Sequence, residues 1–278
     1  MDHKVSGEKD SEEQPFKLDA QETAKSPELD LNSKYLCKTD GTVKDDVGGK
    51  RKRKRNDHTG YGNYKSYYNY RLEDSEDSRI LLLRKEYFEQ KKCLDIGCNT
   101  GSLTSKIAFR FHCRLMVGID RDGCLIHKAK RNLLNNIRHQ EKELGVEMTS
   151  TPVVSFRREN FVSDRHCDHS YDTISCFSVT KWIHLTYRDE GIKNLFHKVY
   201  RLLKPGGNFI LEVQPWKSYR KKKNFSTEMK DNFAQLQLKP EDFCDFLLNT
   251  VRFRSYEILG KVEHKQKGFR REITVYTK

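Results

Sequence analysis

The sequence predicts an α/β fold in which a mostly parallel sheet is covered by helices on both faces. Three observations predict it. Apolar runs of strand length alternate with helical patterns, a glycine-containing turn closes the first of these runs, and an acid stands at the end of the second.

Taken in order, a helix is expected from Arg79 to Phe88, a buried strand from Lys92 to Gly97, and a helix from Ser102 to Phe111. A strand from Leu115 to Asp120 and a helix from Gly123 to about Leu144 follow. Further strands fit Val153 to Arg157, Asp172 to Phe177 and Asn208 to Val213, with a helix from about Asp189 to Leu203 before the last. Near the C-terminus a helix is expected around Pro240 to Leu248. Two closing strands, Arg254 to Gly260 and Glu272 to Tyr276, are expected to pair antiparallel at the sheet edge.

Residues 1–57 hold two aromatics, Phe16 and Tyr35, among many Lys, Glu, Asp and Ser. Such a stretch buries too little apolar surface to offset chain entropy, so a disordered basic tail is expected, followed by one catalytic domain over 58–278. The tail ends in six consecutive basic residues, Lys50 to Arg55, a run that suits nuclear import or an RNA-contacting arm, or merely solubilises the chain.

The 278 residues carry a formal charge of +13 and are only 35% hydrophobic. That balance points to a polyanionic partner, nucleic acid before an acidic membrane surface, because cations that neutralise phosphates release counterions. No run approaches the ~20 apolar residues of a membrane span, and the start Met1-Asp2-His3-Lys4 does not suit a signal peptide. The cytosolic or nuclear side is therefore expected. Eight cysteines without a C-x-x-C pair suggest neither a zinc ribbon nor a disulfide framework. The cluster His166-Cys167-Asp168-His169 offers metal-ligand types but reads as a solvated loop, and no metal site is expected.

The most informative run is Cys93-Leu94-Asp95-Ile96-Gly97-Cys98-Asn99-Thr100-Gly101, a strand ending in a turn where glycines let a ligand approach the backbone. Asp120, at the end of the next strand, is placed to accept hydrogen bonds from both ribose hydroxyls of an adenosine. The turn reads G-x-x-x-G rather than G-x-G-x-x-G, and Asp95 would repel a pyrophosphate while suiting a ligand with an ammonium and a sulfonium. The segment Leu203-Lys204-Pro205-Gly206-Gly207 resembles the turn before the fifth strand of class I methyltransferases. Together these predict a class I Rossmann-like, S-adenosylmethionine-dependent methyltransferase with an antiparallel C-terminal edge.

Three further motifs narrow the reading: Tyr61-Gly62-Asn63-Tyr64 with Tyr67-Tyr68-Asn69-Tyr70-Arg71, Ser178-Val179-Thr180-Lys181-Trp182-Ile183-His184-Leu185, and Glu212-Val213-Gln214-Pro215-Trp216. From about Tyr61 onward the chain resembles the methylphosphate capping enzymes of the bicoid-interacting methyltransferase family, departing from their pattern at Val213 and Phe161. The resemblance implies methyl transfer to the γ-phosphate of a 5′-triphosphate RNA, typically a small nuclear RNA such as 7SK. A sister branch acts on 5′-monophosphates. It also implies cofactor contacts at Arg71, Gly97, Asn99, Gly101, Asp120, Arg121, Asn160, Phe161 and Phe177, with Asn160-Phe161 beside the adenine.

A terminal phosphate, with a second pKa of ~6, is already anionic at neutral pH and needs no general base. The enzyme's work is then positioning and charge complementarity. Lys181 and Arg71 fit as phosphate-facing cations, Tyr61 and Tyr64 as hydroxyl donors or aromatic faces near the sulfonium, and His184 as an auxiliary donor. A snorkelling Lys181, a lid made by the tyrosines and a purely structural His184 are the bland alternatives. The basic run Lys217, Arg220, Lys221, Lys222 and Lys223, read as a loop that mixes in Trp216 and Tyr219, is the expected RNA-binding surface beyond the 5′ end. Ribonucleoprotein subunits are possible partners, and the chain is expected to be monomeric apart from RNA complexes. A 5′-monophosphate enzyme, a methyltransferase for a protein or small molecule, and a catalytically idle RNA-binding assembly subunit remain as rivals.

Overall fold

The computed structural model of the chain describes residues 77–144, 152–166, 170–264 and 267–278. The expected tail over 1–57 and the aromatic segment with Tyr61, Tyr64 and Arg71 lie outside them. In chain order the elements are β1 (Lys92–Ile96), α1 (Ser102–Arg110), β2 (Leu115–Asp120), α2 (Gly123–Leu144), β3 (Val153–Arg158) and β4 (Tyr171–Phe177). Then come α3 (Thr180–Leu202), β5 (Leu203–Glu212), α4 (Trp216–Lys222), α5 (Thr227–Ala234), β6 (Ser255–Lys261) and β7 (Glu272–Thr277).

The strands form one seven-stranded sheet in the order β3-β2-β1-β4-β5-β7-β6. The first five pair parallel, and β7 runs antiparallel between β5 and β6. Alternate residues of the central strands feed two cores. Leu94, Val117 and Leu211 pack against Ile192, Leu195, Phe196 and Val199 of α3 on one face. Their neighbours Cys93, Met116 and Ile210 pack against Leu103, Ile107 and Ala108 of α1 on the other. Burial on both faces is why these strands read as continuous apolar runs. The edge strand β6 is mostly exposed and β3 is half exposed, and both carry charges, Glu257 and Lys261 on β6 and Arg157 and Arg158 on β3, which discourage further pairing.

Three expectations are corrected. The segment from Arg79 to Phe88 is not an α-helix but a series of turns with a short 3-10 piece at Lys85–Tyr87. The Asp77 carboxylate accepts from both the backbone N–H (3.1 Å) and the guanidinium (2.9 Å) of Arg79, a local closure that competes with helix formation. The helix expected from Asp189 begins at Thr180 and breaks at Arg188, whose φ is 56°. Asn232 of α5 makes that break: its amide donates to the carbonyls of Leu185 (2.9 Å) and Thr186 (3.2 Å), and its oxygen accepts from Arg188 Nε (2.7 Å). The basic run at 216–223, read as a loop, is largely helical, because Tyr219 buries itself with Leu185, Met229 and Leu236 and leaves the basic residues on the outer face.

Candidate active site

In an open α/β sheet a ligand binds where the strand order reverses, beyond the carboxyl ends of the strands. That point lies between β1 and β4. A cleft open to solvent lies there, lined by Asp95, Gly97, Asn99, Asp120, Arg121, Asn160, Phe161 and Phe177. These eight residues come from four separate stretches of the sequence.

Each is held by its element. Gly97 and Asn99 adopt left-handed φ values of 76° and 54°, and the N–H of Gly97 donates to Ile119 O at 2.8 Å, folding the turn back onto β2. A Cβ on Gly97 would sit 2.3 Å from a methyl of Val179, so the turn is pressed against the segment after β4. Gly101, also left-handed, opens α1 rather than lining the cleft. Asp120 accepts from the Asn99 N–H (3.0 Å) and the Asp122 N–H (2.9 Å), which fixes the carboxylate at the tip of β2. Burial pushes its pKa up to about 6 despite those donors.

Burial likewise raises the Asp95 pKa, opposed by hydroxyl bonds from Thr104 (2.5 Å) and Ser175 (2.8 Å). Asn160 donates to the Tyr187 hydroxyl at 2.7 Å, and the ring of Arg121's neighbour Tyr187 lies 5.8 Å from that guanidinium. Below the Asn160-Phe161 turn, His166 is bonded to Glu159 and, at 3.2 Å, to the Tyr171 hydroxyl. Among the described residues no group of three or more His, Cys, Asp or Glu could hold a metal ion.

The donor set fits an adenosine cofactor with a charged amino-acid end. The fixed Asp120 carboxylate is placed to accept from ribose hydroxyls, the rings of Phe161 and Phe177 line the same cleft, and the buried Asp95 stands near the turn.

Lys181 and His184 lie on α3 outside this lining. Lys181 is 5% exposed; its ammonium donates to Ser218 Oγ at 3.0 Å and lies 4.5 Å from the Trp182 ring centroid. Burial, with Arg271 and Lys222 nearby, brings its pKa down to about 7. His184 is wholly buried, with Nε2 2.8 Å from Asp189 Oδ1 and Nδ1 3.4 Å from the Tyr219 hydroxyl. Asp189 in turn accepts from the N–H groups of Gln237 (2.9 Å) and Leu238 (3.2 Å), so Asp189 ties α3 to the segment after α5 and His184 braces that carboxylate. Burial lowers its pKa.

The family motif at the end of β5 has a structural reason. The Gln214 oxygen accepts from Thr180 Oγ1 (2.9 Å) and the Lys181 N–H (3.1 Å), and its amide donates to Ser178 O. Lys217, Arg220 and Lys221 are exposed on α4, while Lys222 and Lys223 are half-buried. Trp216 stacks on Phe233 at 4.8 Å and Tyr219 is buried, so these rings serve packing rather than base stacking. Sequence reasoning missed Arg79, Glu159 and Tyr187 as lining residues. Glu159 adjoins Asn160 and was within reach; Arg79, from an irregular turn, gave no signal.

This strand order, with a glycine turn and an acid at the reversal point, defines a class I methyltransferase that uses S-adenosylmethionine, and the methyltransferase domain family matches residues 94–209. The chain belongs to the Bicoid-interacting protein 3 (Bin3) family, which matches residues 171–278. It is 38% identical to a probable RNA methyltransferase of Arabidopsis thaliana, over 78% of this chain and 80% of that protein. It is 36% identical to the U6 snRNA methylphosphate capping enzyme Amus of Drosophila melanogaster, over 78% and 74%. It is also 35% identical to the 7SK snRNA methylphosphate capping enzyme of Homo sapiens, over 78% of this chain and 39% of that longer protein.

Proposed function

We propose that the chain transfers the methyl of S-adenosylmethionine to the terminal phosphate oxygen at an RNA 5′ end, the γ-phosphate of a 5′-triphosphate small nuclear RNA, and that it works in the nucleus. Lys181 carries this reading. It is a buried ammonium that makes no ion pair among the described residues, three residues past Ser178 in the cleft wall. A buried cation without an acid is stabilised by an incoming anion.

The cofactor supplies a methyl group made electrophilic by its sulfonium. Asp120 would accept from the ribose hydroxyls, Asn160 and Phe161 would lie beside the adenine, Arg121 and Phe177 would add further cofactor contacts, and Asp95 would complement the charged amino-acid end. The backbone from Gly97 through Asn99 to Gly101 shapes the floor. Lys181 holds the acceptor phosphate so that an anionic oxygen faces the methyl group, and no side chain has to remove a proton. His184 positions α3 through Asp189. Tyr61, Tyr64 and Arg71 complete the acceptor side by resemblance to the family. RNA beyond the 5′ end follows the outer face of α4, through Lys217, Arg220, Lys221, Lys222 and Lys223. The catalytic domain spans 58–278 behind a basic tail and is monomeric apart from RNA complexes, with ribonucleoprotein subunits as further partners.

The test is labelled methyl transfer to one short RNA prepared with a 5′-triphosphate, 5′-monophosphate or 5′-hydroxyl end. Label confined to the triphosphate form, and released with its terminal phosphate, is the expected result. Label on the monophosphate alone moves the chain to 5′-monophosphate chemistry. Equal label on all three places the methyl on base or ribose and rejects the proposal.

A further inference from the structure

A second buried cation stands beside Lys181. Arg271, immediately before β7, is 9% exposed; Nη1 donates to Ser178 Oγ at 2.5 Å and Nε to Gly268 O at 3.0 Å. Lys181 donates to Ser218 Oγ. Both cations are thus met by neutral oxygens, and among the described residues neither forms an ion pair. Glu212, the acid beyond Ser178, is engaged by Ser178 Oγ and lies 3.6 Å from Arg79. Lys181 senses Arg271 as a like charge. Two like charges removed from water with no direct salt bridge among the described residues, Glu212 being reached only through the Ser178 hydroxyl, are costly, and a polyanion relieves both.

Their placement beside the cleft follows from one short segment. Gln214 pins Ser178 through its carbonyl and Lys181 through its N–H, so the residue that bonds Arg271 and the residue that carries the lysine are fixed together. Ser178 and Val179 line the cleft. Arg271 therefore reaches the same wall from the opposite end of the sequence.

A terminal phosphate has three free oxygens, one of which must face the methyl group. A polyphosphate offers the oxygens of its next phosphate to a second cation; a monophosphate does not. A guanidinium also grips phosphate with two parallel bonds where an ammonium acts as a point charge.

We propose that Arg271 is a direct ligand of the phosphate next to the one held by Lys181, and that the pair makes the site select a 5′ end with more than one phosphate over a monophosphate. This rests on the reading of RNA 5′-phosphate methylation above.

The experiment compares the full chain with Arg271→Gln and Arg271→Lys. It reads KM and kcat for triphosphate and monophosphate RNA, affinity for S-adenosylhomocysteine, and the thermal shift produced by inorganic tripolyphosphate. For Arg271→Gln, KM for triphosphate RNA is expected to rise about 10- to 100-fold, the loss of a charged hydrogen bond. KM for monophosphate RNA should change less than about threefold, affinity for S-adenosylhomocysteine should hold, and Arg271→Lys should fall between.

Tripolyphosphate should raise the wild-type melting temperature and lose that effect in Arg271→Gln. A folded Arg271→Gln with wild-type KM for triphosphate RNA, or with equal losses on both ends, overturns the proposal. If Arg271→Gln does not fold, wild-type KM in Arg271→Lys together with no tripolyphosphate shift in the wild type overturns it. If the wild type methylates no 5′-phosphate RNA yet shows a tripolyphosphate shift that Arg271→Gln loses, the functional reading falls and the anion site stands.

Discussion

Replacing Lys181 by Met should make the protein more stable while removing its activity. The Lys181 pKa falls from 10.5 to about 7 in the folded chain, so the folded state binds this proton more weakly than the unfolded state. Below pH 7 the buried charge is present and its cost is complete. As pH rises from 7 towards 10.5 the folded chain has shed a proton that the unfolded chain still holds, and the cost declines. For a side chain 5% exposed, this shift corresponds to about 4 kcal/mol at pH 7 and about 2 kcal/mol at pH 9. Met keeps the stem but loses the bond to Ser218, which offsets about 1 kcal/mol.

Lys181→Met should therefore be more stable than the wild type by about 3 kcal/mol at pH 7, and the gap should narrow by about 2 kcal/mol by pH 9. Denaturant unfolding of both proteins at pH 6, 7, 8 and 9, in a buffer without phosphate or sulfate, reads this directly. In parallel the variant should lose methyl transfer at least about 100-fold while still binding S-adenosylhomocysteine. A gap that does not change with pH, or a variant less stable throughout, would refute the assignment of a buried, destabilised ammonium.

Asp120→Asn should weaken binding of S-adenosylhomocysteine by about 10- to 100-fold. Wild-type affinity should also decline as pH falls through about 6, because the ribose hydroxyls need the carboxylate; calorimetry from pH 5 to 8 checks both. Gly97→Ala adds a Cβ 2.3 Å from Val179 at a φ of 76° and should cost about 1–3 kcal/mol of stability along with cofactor affinity, measured by urea unfolding and calorimetry. Changing Lys217, Arg220 and Lys221 together to Gln should raise KM for RNA and reduce the slope of log affinity against log salt by about 2. Such a change should leave kcat and cofactor affinity unaltered, so a fall in kcat at saturating RNA would place α4 in the active site instead.

The parallel strands were legible because their burial on both faces writes apolar runs directly into the sequence. The glycine turn was legible for a related reason: Gly97, Gly101 and Asp120 answer to constraints on strand ends and the turns that follow them. The break in α3 was not, since Asn232, 44 residues beyond Arg188, ends that helix turn by capping carbonyls from another element. Nor was the fate of Trp216 and Tyr219. Aromatics among cations read equally as stacking platforms or as the inner face of a short helix, and only the neighbours from α5 decide between them.

The proposed acceptor side divides in the same way. Local sequence singled out Lys181 by its motif, but its burial, its lowered pKa and its nearness to Arg271 depend on β5, α4 and the turn before β7 arriving at one wall. Sequence by itself determined the fold class and the glycine turn, because those rest on periodicity and backbone conformation over short spans. Tertiary structure alone decided where the buried charges gather, because desolvation and like-charge contact act between residues that the chain keeps far apart.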